Sequence, residues 1–251
     1  MQPEPPRRLA SYGAVGDRRF LRVGHKGAAA LAPENTLASL AAALEQGVDM
    51  VEFDVVAAPD GELVLGHSRE EIGPDAPGLG EALAFLAAEA PPGVRLDLDL
   101  KSQGCERDVV AVLRRHGLVE RSLATSFVAE SLRELRRLEP GLATGLSYPW
   151  DRHALSTRPA FAPVVQVGAA ALRATLPHRI GRMVEAAQAG SAMLHFSVIS
   201  PAVVARCHRR GVAVFAWTVD DPALLEQVVA MGVDGVISND PRIFEFDEEP
   251  R

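Results

Sequence analysis

Histidines and carboxylates recur in or just after apolar runs in the first hundred residues of the sequence. His25 ends the run LRVGH, and His67 ends the run GELVLGH. Glu52 and Asp54 lie within MVEFDV, and Asp99 lies within LDLDLK. Imidazole titrates near neutral pH, and carboxylate oxygens bind hard divalent cations. These residue types therefore predict acid–base chemistry beside a metal site.

Two lysines stand out because arginine supplies nearly every other cation. Of the 26 basic residues only Lys26 and Lys101 are lysine; Lys26 directly follows His25, and Lys101 lies two residues after Asp99. Lysine is a compact charge on a flexible stem that can point at a single phosphate oxygen, whereas arginine is a planar fork. We therefore expect both lysines to face a phosphate group.

The elements that must position these residues alternate between β-rich apolar runs and Ala- and Leu-rich helical runs, which is typical of repeated βα units. Eight strands are predicted, at 21–25, 50–55, 95–100, 122–126, 143–147, 192–197, 212–218 and 234–238. Eight such units predict a closed (β/α)8 TIM barrel. A doubly wound sheet is the alternative, but no GxGxxG follows the first strand. The run GELVLGH predicts an additional short hairpin onto strand 2.

In a barrel of this kind the chemistry lies at the carboxyl ends of the strands, where the candidate residues fall. Alternation places Glu52 and Asp54 on one face of the second strand, and Asp97, Asp99 and Lys101 on one face of the third. Inward carboxylates are costly unless a cation neutralises them. Oxygen ligands favour one divalent cation, Mg²⁺ or Ca²⁺ with Mn²⁺ as a further possibility, over zinc. Structural ion pairs within LDLDLK remain the alternative.

Composition limits the other classes of function. The chain has 251 residues, 47% of them hydrophobic, and a net charge of −7, which suits one domain over 1–251 with frayed ends at 1–18 and 247–251. The acidic balance argues against a nucleic-acid or anionic-membrane partner. Two distant cysteines and the lack of any long apolar segment predict a cytoplasmic protein.

Several separated motifs together resemble the glycerophosphodiester phosphodiesterase family. They are HKG, PENT, GVDMVEFDV, DGELVLGHS, LDLDLK, TSF, WTVDD and GVDGVISNDP, in family order over about 220 residues. The resemblance implies a metal-dependent TIM barrel that cleaves glycerophosphodiesters into glycerol 3-phosphate and an alcohol. A small-molecule glycerophosphodiester is the expected substrate.

The resemblance also assigns roles to individual positions. It implies that His25 and His67 are the catalytic acid and base, without saying which is which. It places the metal carboxylates at three positions: Glu52, Asp54 and Asp99. Lys26, Lys101 and Trp217 would contact substrate or phosphate. Asn35, in PENT, is either a substrate contact or the N-cap of the following helix.

The sequence departs from the family pattern at four places. Lys26 stands where the family usually has arginine, Asp99 where it has glutamate, and Ser68 where it has aspartate. The stretch 68–93 is too short for the usual capping insertion, so the cap is expected to be reduced or absent and the pocket more open. Two other functions stay open: a Schiff-base carbonyl-lyase that uses Lys101, and a non-catalytic barrel that binds phosphodiesters.

Overall fold

The computed structural model describes residues 20–73, 76–150 and 162–247. Eight parallel strands form a barrel that closes through pairing of the first strand with both the second and the last. The barrel strands are β1 Leu21–Gly24, β2 Met50–Ala57, β4 Arg95–Leu100, β5 Ser122–Ser126, β6 Ala143–Tyr148, β7 Ser191–His195, β8 Ala213–Trp217 and β9 Gly235–Ser238. The predicted TIM barrel is confirmed.

Helices follow the strands and pack on the outside of the barrel. They are α1 Leu37–Glu45, α2 Leu79–Glu89, α3 Glu106–Arg115, α4 Ala129–Leu138, α5 Ala162–Ala187, α6 Pro201–His208 and α7 Pro222–Ala230. After β9 the chain forms a 3-10 helix, Pro241–Asp247. The predicted frayed N-terminus and residues 248–251 lie outside the described residues, whereas Asp247 ends this last helix.

All eight predicted strands exist, and the differences are at their ends. β1 ends at Gly24, so His25 follows the strand. β7 runs Ser191–His195 and gives way to a 3-10 turn over Phe196–Val198, instead of continuing to Ser197 as predicted. The His195 side chain accepts a hydrogen bond from the backbone N–H of Ser197, which turns the chain away from the strand direction.

The alternation predicted for the third barrel strand is confirmed. Leu96, Leu98 and Leu100 are buried in the apolar layer between strands and helices. A second, smaller apolar cluster fills the barrel interior, and Met50, Met193 and Phe215 belong to it. This inner cluster supports the barrel from within, which leaves the carboxyl ends of the strands for polar side chains.

The additional hairpin is also present. β3, Leu63–Leu65, pairs antiparallel with the end of β2, with Val55 opposite Leu65 and Ala57 opposite Leu63. Gly61 has a φ of 91°, which explains why the turn carries glycine at this position. The hairpin brings His67 back toward the carboxyl end of β2.

Between β3 and β4 the described residues contain only a 3-10 turn, Arg69–Glu71, and helix α2. The small number of elements in this segment agrees with the expected reduction of the capping insertion. α5 differs from the other helices in length, with 26 residues against 8 to 11 elsewhere. No helix within the described ranges combines the length and the apolar character needed to cross a membrane.

Candidate active site

Three carboxylates meet at the carboxyl ends of β2 and β4. The two strands pair in a register that sets Glu52 opposite Asp97 and Asp54 opposite Asp99. One oxygen each from Glu52, Asp54 and Asp99 lies within 4.8 Å of the others. Glu52 and Asp54 are buried, and the Asp99 side chain is 13% exposed. The predicted grouping of these three residues is therefore present.

Burial and mutual repulsion separate the protonation behaviour of the carboxylates. Desolvation, and then the charge of Asp54, raise the pKa of Glu52 well above its usual value. Desolvation and Asp99 raise the pKa of Asp97 in the same way. Burial also works against ionisation of Asp54, but the charge of Lys101 and a hydrogen bond from His67 outweigh it and lower the Asp54 pKa. Of Glu52, Asp97 and Asp54, only Asp54 has a lowered pKa.

The donor set fits a divalent cation. Asp99 Oδ1 is buried and has no hydrogen-bond partner among the described residues. An acceptor left in this state loses its hydration without compensation, and a hard cation would restore it. Carboxylate oxygens are also the ligands that Mg²⁺, Ca²⁺ and Mn²⁺ prefer. Glu52, Asp54 and Asp99 could therefore hold one metal ion.

His67 is oriented by one of these carboxylates. Its Nδ1 lies 3.1 Å from Asp54 Oδ2. An ionised carboxylate only accepts hydrogen bonds, so the proton of a neutral His67 is on Nδ1 and the lone pair is on Nε2. The side chain is 48% exposed. The ring is thus fixed on one side and open to the pocket on the other.

His25 is oriented by a residue from the far end of the chain. Its Nδ1 lies 2.7 Å from Asn239 Oδ1, and Asn239 Nδ2 donates to Asp220 Oδ2 at 2.7 Å. The contact with Asp220 fixes the amide orientation, so Asn239 offers its carbonyl oxygen to His25. A neutral His25 therefore carries its proton on Nδ1. Its Nε2 lies 3.9 Å from Glu52 Oε2, and burial lowers the His25 pKa.

Lys26 lies in a tight turn that directs both its backbone and its side chain to the site. Its φ is 51°, and its backbone N–H donates to Glu52 Oε2 at 2.6 Å. Its Nζ lies 2.9 Å from Glu34 Oε1 and 4.0 Å from Asp54 Oδ2. A Cβ on the next residue, Gly27, would approach the backbone of α1 within 2.5 Å. The glycine in HKG is therefore required by the close approach of α1.

Asn35 contacts a carboxylate and does not cap the helix. Its Nδ2 donates to Asp54 Oδ2 at 3.0 Å, and its Oδ1 accepts from the Asp54 backbone N–H at 2.9 Å. The N-cap of α1 is Thr36, which forms a capping box with Ser39. The capping alternative for Asn35 is therefore wrong. The buried Asn35 side chain holds Asp54 in place.

Lys101 lies between two carboxylates. Its Nζ is 2.5 Å from Asp99 Oδ2 and 2.8 Å from Asp54 Oδ1. Burial works to lower the Lys101 pKa, but the charges of Asp99, Asp54 and Glu52 outweigh it and raise that pKa. A nucleophilic amine must be deprotonated, so this environment is opposed to a Schiff-base reaction. The carbonyl-lyase alternative loses its chemical basis.

Aromatic rings line the opposite side of the barrel mouth. Phe127 follows β5 and stacks on Trp150 with ring centroids 6.0 Å apart. The edge of Trp217, at the end of β8, meets Phe127 at 6.0 Å and His195 at 5.1 Å. Trp217 Nε1 has no hydrogen-bond partner within the part of the chain that is described. The predicted Trp217 wall is thus part of a larger aromatic surface.

The sequence model of the glycerophosphoryl diester phosphodiesterase family matches residues 25–73 and 94–243. The chain belongs to this family. The match includes all the site residues described above and omits 74–93, the stretch where the capping insertion is reduced. Family membership makes the protein a phosphoric diester hydrolase.

Individual relatives agree with the family match. The chain is 26% identical over 89% of its length to a glycerophosphodiester phosphodiesterase from Caldanaerobacter subterraneus, of which 95% is covered. Its fold is similar to that of an enzyme of the same description from Parabacteroides distasonis, with a TM-score of 0.71 and coverage of 92% and 98% at 22% identity. An Oleispira antarctica phosphodiesterase in complex with the product sn-glycerol-3-phosphate has a TM-score of 0.70, 23% identity and coverage of 91% and 97%.

Sequence reasoning missed the residues that support the predicted ones. Asn239 and Asp220 hold His25, and Glu34 pairs with Lys26. One compositional signal was available: the chain has only two asparagines, and both contact the site. Nothing in the sequence marked Trp150 as part of the aromatic surface.

Proposed function

We propose that the protein hydrolyses glycerophosphodiesters to glycerol 3-phosphate and an alcohol, with His25 and His67 as acid and base beside one divalent cation. The observation that carries the proposal is the convergence of both imidazoles on the Glu52, Asp54 and Asp99 group. The product complex of the Oleispira antarctica phosphodiesterase supports glycerol 3-phosphate as the product.

The two histidines would move the protons of the reaction. Each has its Nδ1 held by an acceptor, so a neutral ring offers its Nε2 lone pair as a base and a protonated ring offers an Nε2 proton as an acid. As the nucleophile forms a bond to phosphorus, one histidine takes the proton of the nucleophile. The phosphorus–oxygen bond to the alcohol breaks, and the other histidine donates a proton to that oxygen. The nucleophile is water or a neighbouring glycerol hydroxyl.

The lysines, and a cation bound by the carboxylates, would neutralise the negative charge of the phosphodiester. A divalent cation held by Glu52, Asp54 and Asp99 supplies a Lewis acid for a phosphoryl oxygen. Lys26 offsets negative charge from the β1 side of the mouth, and its side chain is only 14% exposed. Lys101 does so from the β4 side. Fixed cations in a partly dry site stabilise developing charge better than water does.

The departures from the family pattern keep the same types of functional group at the site: carboxylates, cations and imidazoles. Asp99 is one methylene shorter than glutamate but still joins the carboxylate group. Lys26 keeps the positive charge of the arginine that it replaces. A binding protein without activity would not need two imidazoles each fixed in one tautomer. We therefore favour an active enzyme over the non-catalytic barrel.

Hydrolysis assays test the proposal. Glycerophosphocholine and bis(4-nitrophenyl) phosphate would be incubated with the full chain in Mg²⁺, Ca²⁺, Mn²⁺ or chelator. We expect turnover that requires a divalent cation and, from glycerophosphocholine, release of glycerol 3-phosphate and choline. Asp54→Asn should abolish the metal response. Absence of turnover with every cation would support the non-catalytic alternative.

A further inference from the structure

The outer surface formed by α5 and α6 carries a charge opposite to that of the whole protein. Residues 172–211 contain six arginines and a single acidic residue, Glu185, although the net charge of the chain is −7. The six are Arg173, Arg179, Arg182, Arg206, Arg209 and Arg210. A concentration of one sign within an acidic protein produces a local positive potential that attracts anions.

These arginines differ from several on the neighbouring helices. On α3 and α4 three arginines have a carboxylate partner: Arg114 lies 2.7 Å from Glu139, Arg133 lies 2.9 Å from Glu130, and Arg137 lies 2.6 Å from Glu134. None of the six arginines on α5, α6 and the turn after α6 makes an ion pair within residues 20–73, 76–150 and 162–247. The dipole of α6 has its negative end at the carboxyl terminus of the helix, which favours cations there. That end carries only about half an elementary charge. The carboxylate of Asp234 lies at this end of α6, but its ion pair, at 2.8 Å, is with His208 and with none of the six arginines.

A groove between the two helices is lined by two of the six arginines, Arg206 and Arg209. It has a volume of about 420 Å³ and is lined by Pro177, His178, Ala202, Ala205, Arg206 and Arg209. Ala202, Ala205 and Arg206 of α6 and Arg209 directly after it have the spacing of one helix face. No acidic residue lines the groove.

One donor in this groove is unsatisfied. Arg206 Nε is buried and has no hydrogen-bond partner in the described part of the chain. A buried charged donor without an acceptor is costly. Because Nε is closed off from solvent, a bound anion would reach it only after the Arg206 side chain rotates toward the groove. Arg210 is held close by, because its guanidinium lies over Gly181, where a Cβ would come within 2.6 Å of Arg210 Cζ.

We propose that this groove binds a small phosphate-bearing molecule at a site separate from the active site. Arginine forks match phosphate oxygens, and the groove volume lies in the range of small-ligand sites. A groove of this volume favours a compact ligand over an extended nucleic acid or a flat bilayer. The proposal does not depend on the catalytic function, because the groove lies outside the barrel, between α5 and α6.

Calorimetric titration of the full chain with inorganic pyrophosphate, in chelator so that no metal contributes, tests the site. Arg206→Gln/Arg209→Gln is compared with Arg133→Gln/Arg137→Gln, which removes the same charge from carboxylate-paired positions on α4. We expect the wild type and the α4 variant to bind alike and the groove variant to bind at least tenfold more weakly. Equal affinity in all three proteins, or no binding by the wild type, would overturn the proposal.

Hydrogen exchange of the wild type gives a readout that needs no variant. Pyrophosphate should slow amide exchange in 173–182 and 202–210. Protection confined to the barrel mouth would assign the anion to the active site and overturn the proposal. Binding to phosphatidylglycerol vesicles that is lost in the groove variant, without pyrophosphate binding by the wild type, would assign the surface to lipid and overturn it as well.

Discussion

The two halves of the barrel mouth are built from different chemistry. The ends of β1, β2 and β4 carry histidines, lysines and carboxylates that contact one another at hydrogen-bond or ion-pair distances. The ends of β5, β6 and β8 carry the rings of Phe127, Trp150 and Trp217. His195, at the end of β7, belongs to the aromatic half and contacts Ser197 instead of a carboxylate.

This difference teaches how one pocket can separate bond cleavage from substrate binding. The polar half fixes charges and proton positions, which lower the barrier only if they are held rigidly before the substrate arrives. The aromatic half offers surface without formal charge, which can hold an organic group by contact area. Changes in the polar half should therefore reduce kcat, and changes in the aromatic half should raise KM.

The largest effect is expected for the histidines of the polar half. His25→Ala and His67→Ala should each reduce kcat by roughly 10²- to 10⁴-fold, because each removes a proton-transfer group. His195→Ala is the matched control from the aromatic half, and its kcat should change by less than about tenfold. Steady-state kinetics on glycerophosphocholine measure all three. A near-normal rate for either polar-half variant would remove that histidine from the mechanism.

Substitution of Lys26 should cause the next largest loss of kcat/KM, and the size of that loss should depend on whether the new side chain is charged. Lys26→Ala should lower kcat/KM by roughly 30- to 1000-fold, which corresponds to about 2 to 4 kcal/mol of transition-state stabilisation. Lys26→Arg keeps the charge and should lose less. If the only role of Lys26 is its ion pair with Glu34, then Glu34→Gln and Lys26→Ala should have equal effects on kcat/KM, and the phosphate role would be rejected.

Asn239 tests whether orientation of an imidazole matters separately from its presence. Asn239→Ala removes the acceptor that fixes His25 Nδ1 and should reduce kcat by roughly 10- to 100-fold with little change in KM. The pH profile of kcat should shift as well, because the hydrogen bond to Asn239 raises the His25 pKa against the lowering by burial. Loss of that bond lowers this pKa further, so the acidic limb of the profile moves to lower pH if His25 is the base. An unchanged profile together with unchanged kcat would make the contact structural only.

The smallest effect is expected in the aromatic half. Trp217→Leu should raise KM for glycerophosphocholine by less than about tenfold and leave kcat within about threefold, because it removes contact area and no proton carrier. A loss concentrated in kcat would show that the aromatic half takes part in the chemistry. In that case the unpartnered Nε1 of Trp217 would be the donor to examine.

The barrel strands and the residues of the polar half could be predicted because each is contained in a short sequence motif. Alternation in LDLDLK gave the faces of β4, and the strand ends gave the position of Asp54 and Asp99. The partners of those residues come from distant segments, such as the 214 residues that separate His25 from Asn239. Such contacts depend on barrel closure between β1 and β9, which no local pattern encodes. The contact of Asn35 with Asp54 was missed because it joins a loop to β2 across 19 residues of sequence, which no single motif contains.

Metal titration tests most directly that the polar half is a cation site. Calorimetry with Mn²⁺ should show one site in the wild type and none in Asp54→Asn, which loses the clustered carboxylate whose pKa is lowered. Asp97→Asn should still bind, because Asp97 is not one of the three clustered carboxylates, and its raised pKa favours the neutral form that asparagine imitates. Affinity should also rise with pH, because the pKa of Glu52 is raised and the metal must displace its proton. Binding by Asp54→Asn at wild-type affinity, or an affinity that falls as pH rises, would contradict the account.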